Sequence, residues 1–194
     1  MTMTLSKGGN LSLTKQDPGL KRALIGLGWD ARSTNGAEFD LDASAFLLDG
    51  NGKIYGMGEQ SFVFYNNLAT PDQTVTHTGD NRTGDGDGDD EQVVVQLDRI
   101  PAAVQKIAIT VTIHDGQTRR QSFGQVSNAF IRIVNDETQR EVARFDLTED
   151  SSTETAMIFA ELYRYGSEWK LRAVGQGWQG GLKAMCDNYG LNIG

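Results

Sequence analysis

Hydrophobic and polar positions alternate with a period of two along most of this chain. The apolar runs are short, rich in β-branched and aromatic residues, and separated by Gly, Asn and Asp, a pattern typical of strands that bury one face. It predicts strands at residues 10–13, 24–29, 42–48, 61–65, 92–97, 106–114, 129–135, 141–146, 155–163 and 168–175. So many strands with little helix indicate an all-β fold, a β-sandwich of two packed, mostly antiparallel sheets.

Turns and one helix complete the predicted elements. Residues 49–52, Asp-Gly-Asn-Gly, and residues 165–168, Tyr-Gly-Ser-Glu, contain residue types that tolerate positive φ between two apolar runs. A short C-terminal helix is predicted over residues 181–189, with Gly190 as its C-terminal stop. A short helix or helical turn is also predicted after Pro101.

A short echo between the two halves of the chain suggests pseudo-repeated halves. Phe39-Asp40-Leu41 and Phe145-Asp146-Leu147 are each followed by an acid, a serine and an apolar strand. Short tripeptides also recur by chance, so the echo fits a duplication and two unrelated strands equally well.

Composition sets the broad class of the protein. With 194 residues and 38% hydrophobic content, the chain is long enough to bury a core, and we expect a single domain over residues 1–194. The formal net charge is −8 and the basic residues are scattered, which argues against nucleic acid or an anionic membrane as a direct partner. A single cysteine, no apolar leader and no run long enough to span a membrane predict a cytoplasmic protein.

The most unusual segment is residues 79–91, GDNRTGDGDGDDE, which we call the acidic segment. Its like charges repel and its glycines lose much entropy on ordering, so it is either a solvated disordered loop or a set of ligands that a cation orders. Calcium is the cation that best suits this segment, because calcium accepts carboxylate and carbonyl oxygens in irregular geometry. The spacing is not that of an EF-hand, magnesium is the weaker candidate, and two histidines and one cysteine are too few for zinc.

Other acids are predicted where strands begin or end. Asp40 and Asp42 are two residues apart, so a strand places both carboxylates on one face, and Asp30 is a candidate to join them. A second group, or a supporting shell, comprises His114, Asp115, Asp146 and Glu149. The alternative for all of these residues is turn chemistry, since Asp caps turns and helices in most proteins.

Several motifs together resemble the tellurium-resistance TerD family over essentially the whole chain. They are the acidic segment, LSKGGN at 5–10, GLGWDAR at 26–32, DLDASAFLL at 40–48, RRQSFGQV at 119–126 and AVGQGW at 173–178. The resemblance implies a cytosolic bacterial β-sandwich of a tellurite-resistance and stress-response operon, linked also to phage inhibition and colicin resistance. It implies binding of two or more calcium ions through Asp80, Asn81, Asp85, Asp87, Asp89, Asp90 and Glu91.

The sequence contains no reductase or hydrolase motif. It has neither a dithiol pair nor a dinucleotide-binding fingerprint, which disfavours a tellurite reductase, and it has no nucleophile elbow. We expect a monomeric calcium-dependent binding or scaffolding module, whose implied partners are other tellurite-operon proteins, including membrane-associated ones. The alternative is a phosphoester hydrolase that depends on a divalent metal. Trp29, Trp169, Trp178 and Cys186 are predicted to be core residues.

Overall fold

The computed structural model describes residues 2–30, 35–56, 58–79, 82, 88–147 and 153–193, and the chain in these ranges folds as a β-sandwich. Its strands are β1 (Met3–Leu5), β2 (Asn10–Ser12), β3 (Arg22–Gly28), β4 (Leu41–Leu48), β5 (Phe62–Val63), β6 (Val75–His77), β7 (Glu91–Gln96), β8 (Lys106–Ile113), β9 (Phe130–Asn135), β10 (Arg140–Asp146), β11 (Ala156–Tyr165) and β12 (Glu168–Trp178). The helices are α1 (Leu13–Gln16), α2 (Gly116–Arg119) and α3 (Gly181–Asn188). The predicted fold class is confirmed.

The strands form two six-stranded sheets. The first sheet has the order β1-β10-β9-β3-β7-β6 and the second β2-β12-β11-β8-β4-β5. Neighbouring strands are antiparallel except β1, which runs parallel to β10. The strands β4, β7 and β11 begin, and β3, β8 and β10 end, at one end of the sandwich, which we call the acidic end.

Successive side chains of a strand point to opposite faces of the sheet, and the apolar side chains of the second sheet therefore lie in two separate cores. Ala43, Ala45 and Leu47 of β4 face the first sheet in the main core, whereas Phe46 and Leu48 lie on the other face, in a second core with residues of α3. The second sheet is therefore buried on both faces, which explains why every residue of β4 is buried.

Some local predictions need correction. Strands β1 and β6, three residues each, were not predicted because so short a run carries no periodicity. The strand predicted over residues 10–13 ends earlier, because Ser12 caps α1 by accepting a hydrogen bond from the backbone N of Lys15. The strand predicted over residues 61–65 shortens to β5 after a 3₁₀ turn, Gly58–Ser61. The short helix or helical turn predicted after Pro101 is a single turn, closed by the hydrogen bond from the backbone N of Val104 to the carbonyl of Pro101 at 2.9 Å.

The two halves do not occupy equivalent positions. Phe39-Asp40-Leu41 leads into β4 of the second sheet, whereas Phe145 and Asp146 end β10 of the first sheet. Both tripeptides nevertheless lie at the acidic end, and the strands that follow them, β4 and β11, flank β8 on either side. The two similar tripeptides therefore lie at the same end of the sandwich, but the order of the strands around them is not repeated.

Within the described ranges, no helix has the length and apolar character needed to cross a membrane.

Candidate metal site at the acidic end

Two buried carboxylates, those of Asp40 and Asp42, lie at the start of β4. Their residues are 4% and 5% exposed. The Nδ1 of His114 lies 3.6 Å from the Oδ2 of Asp42, and the backbone N of His114 donates to the carbonyl of Asp40 at 2.8 Å. Arg82, from the acidic segment, places its Nε 3.7 Å from the Oδ2 of Asp40. The acidic segment therefore reaches the acids of the second sheet.

The C-terminal end of the acidic segment is attached to the first sheet. Arg132 of β9 binds Asp89 with two bonds, from Nε to Oδ1 at 2.7 Å and from Nη2 to Oδ2 at 3.0 Å. Gln92 donates a third bond to the same carboxylate at 3.1 Å. The hydrogen bond to Asp89 raises the pKa of Arg132. Such bidentate pairs are stronger and more directional than single ion contacts.

The next two acids of the segment also find donors within the protein. The Oδ2 of Asp90 accepts a hydrogen bond from the backbone N of Trp29 at 2.9 Å. The Oε2 of Glu91 accepts one from the backbone N of Ala43 in the second sheet at 2.5 Å. His77 Nε2 lies 3.4 Å from that Oε2, and both side chains are fully buried. Asp89, Asp90 and Glu91 thus connect to three different strands or strand ends.

The remaining predicted ligands have separate surroundings. Asp30 accepts a hydrogen bond from Asn128 Nδ2 at 2.6 Å, and Asp146 pairs with Arg144 Nε at 2.8 Å. Asp115 adopts a left-handed conformation with φ of 52° beside His114. Asp80, Asn81, Asp85, Asp87 and Glu149 lie outside the described residues. His114 therefore lies beside Asp42 of the first predicted group, whereas Asp146 of its own group pairs with an arginine.

The described side chains at this end are of the type that binds a hard cation such as calcium. Buried carboxylates supply oxygen ligands, which calcium prefers, and nothing here supplies the thiolates typical of a structural zinc site. Among the residues that the structure describes, no three His, Cys, Asp or Glu side chains converge on one point. Among the described residues, Asp40 and Asp42 could therefore contribute only part of a ligand set.

Three residues at this end were not recognised as participants from the sequence. Arg132 and His77 carry no local motif, and their roles depend on pairing between strands distant in sequence. Gly26 carried a signal, since a glycine inside an apolar strand often marks the close approach of another group. A Cβ at Gly26 would lie only 2.2 Å from the Cγ of Asp89.

Comparisons with known proteins agree with this architecture. Residues 1–189 match the family model described as the TerD domain. The chain is 65% identical over 192 residues, 99% of both chains, to the tellurium resistance protein TerD of Serratia marcescens. It is 52% identical over the full length of both chains to general stress protein 16U of Bacillus subtilis. The crystal structure of a TerD homologue from Streptomyces coelicolor superposes with a TM-score of 0.69 at 25% identity, covering 87% of this chain and 95% of that one.

Proposed function

Because the chain belongs to the TerD family, we propose that it is a calcium-binding stress-response protein that contributes to tellurite resistance without being an enzyme. The observation that carries the proposal is the pair of buried carboxylates, Asp40 and Asp42, with the acidic segment against them through Arg82. Burying carboxylates is costly unless cations or donors compensate them. Two buried carboxylates beside an acid-rich segment can supply oxygen ligands to a divalent cation.

The proposed role of the chain's own residues is electrostatic. Asp40 and Asp42 would hold the cation together with Asp80, Asn81, Asp85 and Asp87 of the acidic segment, four of the seven residues that the family resemblance implies. Bound calcium supplies two positive charges to a region dense in carboxylates. The residues that gather around it would fix the acidic segment on the sandwich, and the fixed segment would become a binding surface.

The proposed partners rest on the family resemblance, and the relatives are named as tellurium resistance and general stress proteins. We propose that this chain, as a cytoplasmic monomer, binds other proteins of a tellurite-resistance system, including membrane-associated ones. The net charge of −8 favours a basic protein surface over nucleic acid. Roles in phage inhibition and colicin resistance belong to the same proposal.

A pull-down from cells tests this function. Tagged protein is incubated with lysate in calcium or in chelator, and we expect specific partners only with calcium. Asp42→Asn removes one buried negative charge and should lose those partners, whereas Asp98→Asn, at an exposed position, should keep them. Identical partners in calcium and in chelator would contradict a calcium-dependent module.

A divalent-metal-dependent phosphoester hydrolase is the second candidate. It is favoured by one observation, a part-exposed imidazole, that of His114, beside the carboxylate of Asp42, since hydrolases combine a metal-binding carboxylate with a proton-transfer group. Turnover of a generic phosphodiester with Ca²⁺, Mg²⁺ or Mn²⁺, abolished by His114→Ala, would support it. Absence of turnover with all three ions leaves the binding module.

A further inference from the structure

Asp89, near the C-terminal end of the acidic segment, lies against the first sheet, whereas Arg82 of the same segment contacts Asp40 at the second sheet. We propose that Arg132 and Gly26 position the acidic segment by holding Asp89 against the outer face of the first sheet, so that Asp89 acts as an anchor and not as a cation ligand. This inference rests on the proposed calcium-binding function and assigns different tasks to acids that the sequence groups together.

The carboxylate of Asp89 is already surrounded by donors. Both oxygens are bound by Arg132, Gln92 binds one of them as well, and the side chain is 1% exposed. Arg132 is itself held by Glu141, whose Oε2 lies 3.3 Å from Nη1. A cation at Asp89 would have to displace a bidentate guanidinium and would be repelled by its charge.

The carboxylate of Asp89 can lie against β3 because residue 26 is a glycine and has no side chain. Ile25 and Leu27 point into the main core, so Gly26 faces outwards from β3, where a Cβ would lie 2.2 to 2.4 Å from the carboxylate atoms of Asp89. Gly28, two residues on, similarly leaves room for the ring of Phe130 and the carbonyl of Gly88. The sequence of β3 is thus shaped to accept the end of the acidic segment.

Asp89 can affect cation binding in this way although its own oxygens do not bind the cation. Glycine-rich chain is costly to order, and ligands that are already positioned leave less of that cost to the binding step. The backbone N of Asp90 donates to the carbonyl of Leu27 at 2.8 Å beside the anchor, which continues the attachment into the first sheet. Fixing this end therefore limits where the rest of the acidic segment can place its oxygens.

The test is a calcium titration of the full chain by calorimetry, combined with hydrogen exchange of the Asp90 amide in chelator. Gly26→Ala displaces Asp89 without changing any charge, and Arg132→Gln removes the guanidinium. We expect both to weaken calcium binding by roughly tenfold or more, the size found when residues that orient metal ligands are replaced, and to speed exchange at Asp90. Arg132→Lys keeps the charge without the bidentate geometry and should give an intermediate loss.

Gly50→Ala is the matched control. Its Cβ would come no closer than 3.8 Å to Gln105, so calcium affinity and Asp90 exchange should remain those of the wild type. Melting temperatures of all variants separate the two effects, because a merely structural role would lower the melting temperature and leave calcium affinity at low temperature unchanged.

The alternative assignment, in which Asp89 is a cation ligand, predicts the opposite change in calcium affinity for Arg132→Gln. If Asp89 were a ligand, Arg132→Gln would free its carboxylate and remove a nearby positive charge, so calcium would bind as tightly as in the wild type or more tightly. That result overturns the anchor. If the wild type itself bound no calcium, the proposed function would fail instead, whereas the exchange of Asp90 would still report whether Arg132 and Gly26 hold the segment.

Discussion

Glu91 and Ala43 join the two sheets at the acidic end: the carboxylate of Glu91, the first residue of β7, accepts a hydrogen bond from the backbone N of Ala43 on β4. The strand β5 pairs only with Ala45 and Phe46, so Ala43 lies beyond its end and takes a side chain as its acceptor. His77 Nδ1 accepts a bond from the backbone N of Gly79, and its Nε2 lies 3.4 Å from the Oε2 of Glu91.

Replacing Glu91 should therefore destabilise the fold itself. Glu91→Ala removes the acceptor of the buried backbone N–H of Ala43 and the carboxylate that lies 3.4 Å from His77 Nε2, and we expect the free energy of unfolding to fall by about 3 kcal/mol. Chemical denaturation measures this change. Glu137→Ala, at an exposed position, is the control and should change stability little. A loss no greater than that of the control would mean that the contact does not hold the sheets together.

Arg164 is expected to stabilise the segment that precedes β8. Its guanidinium lies 4.4 Å from the ring centroid of Trp169, and it donates to the carbonyls of Val104 and Ile100 at 2.9 Å each. Arg164→Ala should lower the free energy of unfolding by about 2 kcal/mol, because charged hydrogen bonds and a cation–π contact are lost together.

Arg164→Lys separates these contributions, since lysine keeps the charge but not the planar fork. We expect it to recover part of the loss in the same denaturation experiment. Full recovery by lysine would show that the charge alone matters and that the two carbonyl contacts do not.

Cys186 is expected to be chemically inert in the folded protein. The residue lies on the buried face of α3, and burial raises the pKa of its thiol to about 11 from a usual value of 9.0. The thiolate is the reactive form, so a thiol reagent at pH 8 should label the native protein far more slowly than the unfolded chain. Equal labelling rates would place the thiol at the surface.

The same pKa shift predicts a pH dependence. A thiol whose pKa is higher in the folded than in the unfolded state stabilises the fold below pH 9, and this contribution is lost as the pH rises from 9 towards 11. Comparing the wild type with Cys186→Ala over that range should show a steeper loss of stability in the wild type. Parallel curves would contradict the shift.

The sandwich itself could be predicted because long strands repeat a clear pattern. Strands such as β8 and β11 extend over eight and ten residues and are largely buried, and their apolar pattern is visible without any knowledge of the partners. The edges carried less information. β1 pairs in parallel with β10, and β6 contributes three residues beside β7, so both depend on neighbours far along the chain.

The candidate site shows the same division between local and distant information. The acidic segment is evident from its composition, but composition does not distinguish a ligand from an anchor. Asp89 lies on Gly26 and binds Arg132, residues 63 and 43 positions away from it in either direction, and no local pattern links the three. Likewise His114 joins Asp42 because β8 and β4 are paired, a pairing that the sequence alone does not specify.

The most direct test of the calcium account is the melting temperature of the chelator-treated wild type after addition of calcium or magnesium at equal concentration. Binding to the native state alone adds about 2.7 kcal/mol at a hundredfold excess over the dissociation constant. An irregular set of carboxylate oxygens favours calcium over the more demanding magnesium. We predict a clear rise with calcium and a much smaller one with magnesium. Equal shifts, or no shift with calcium, would contradict the account.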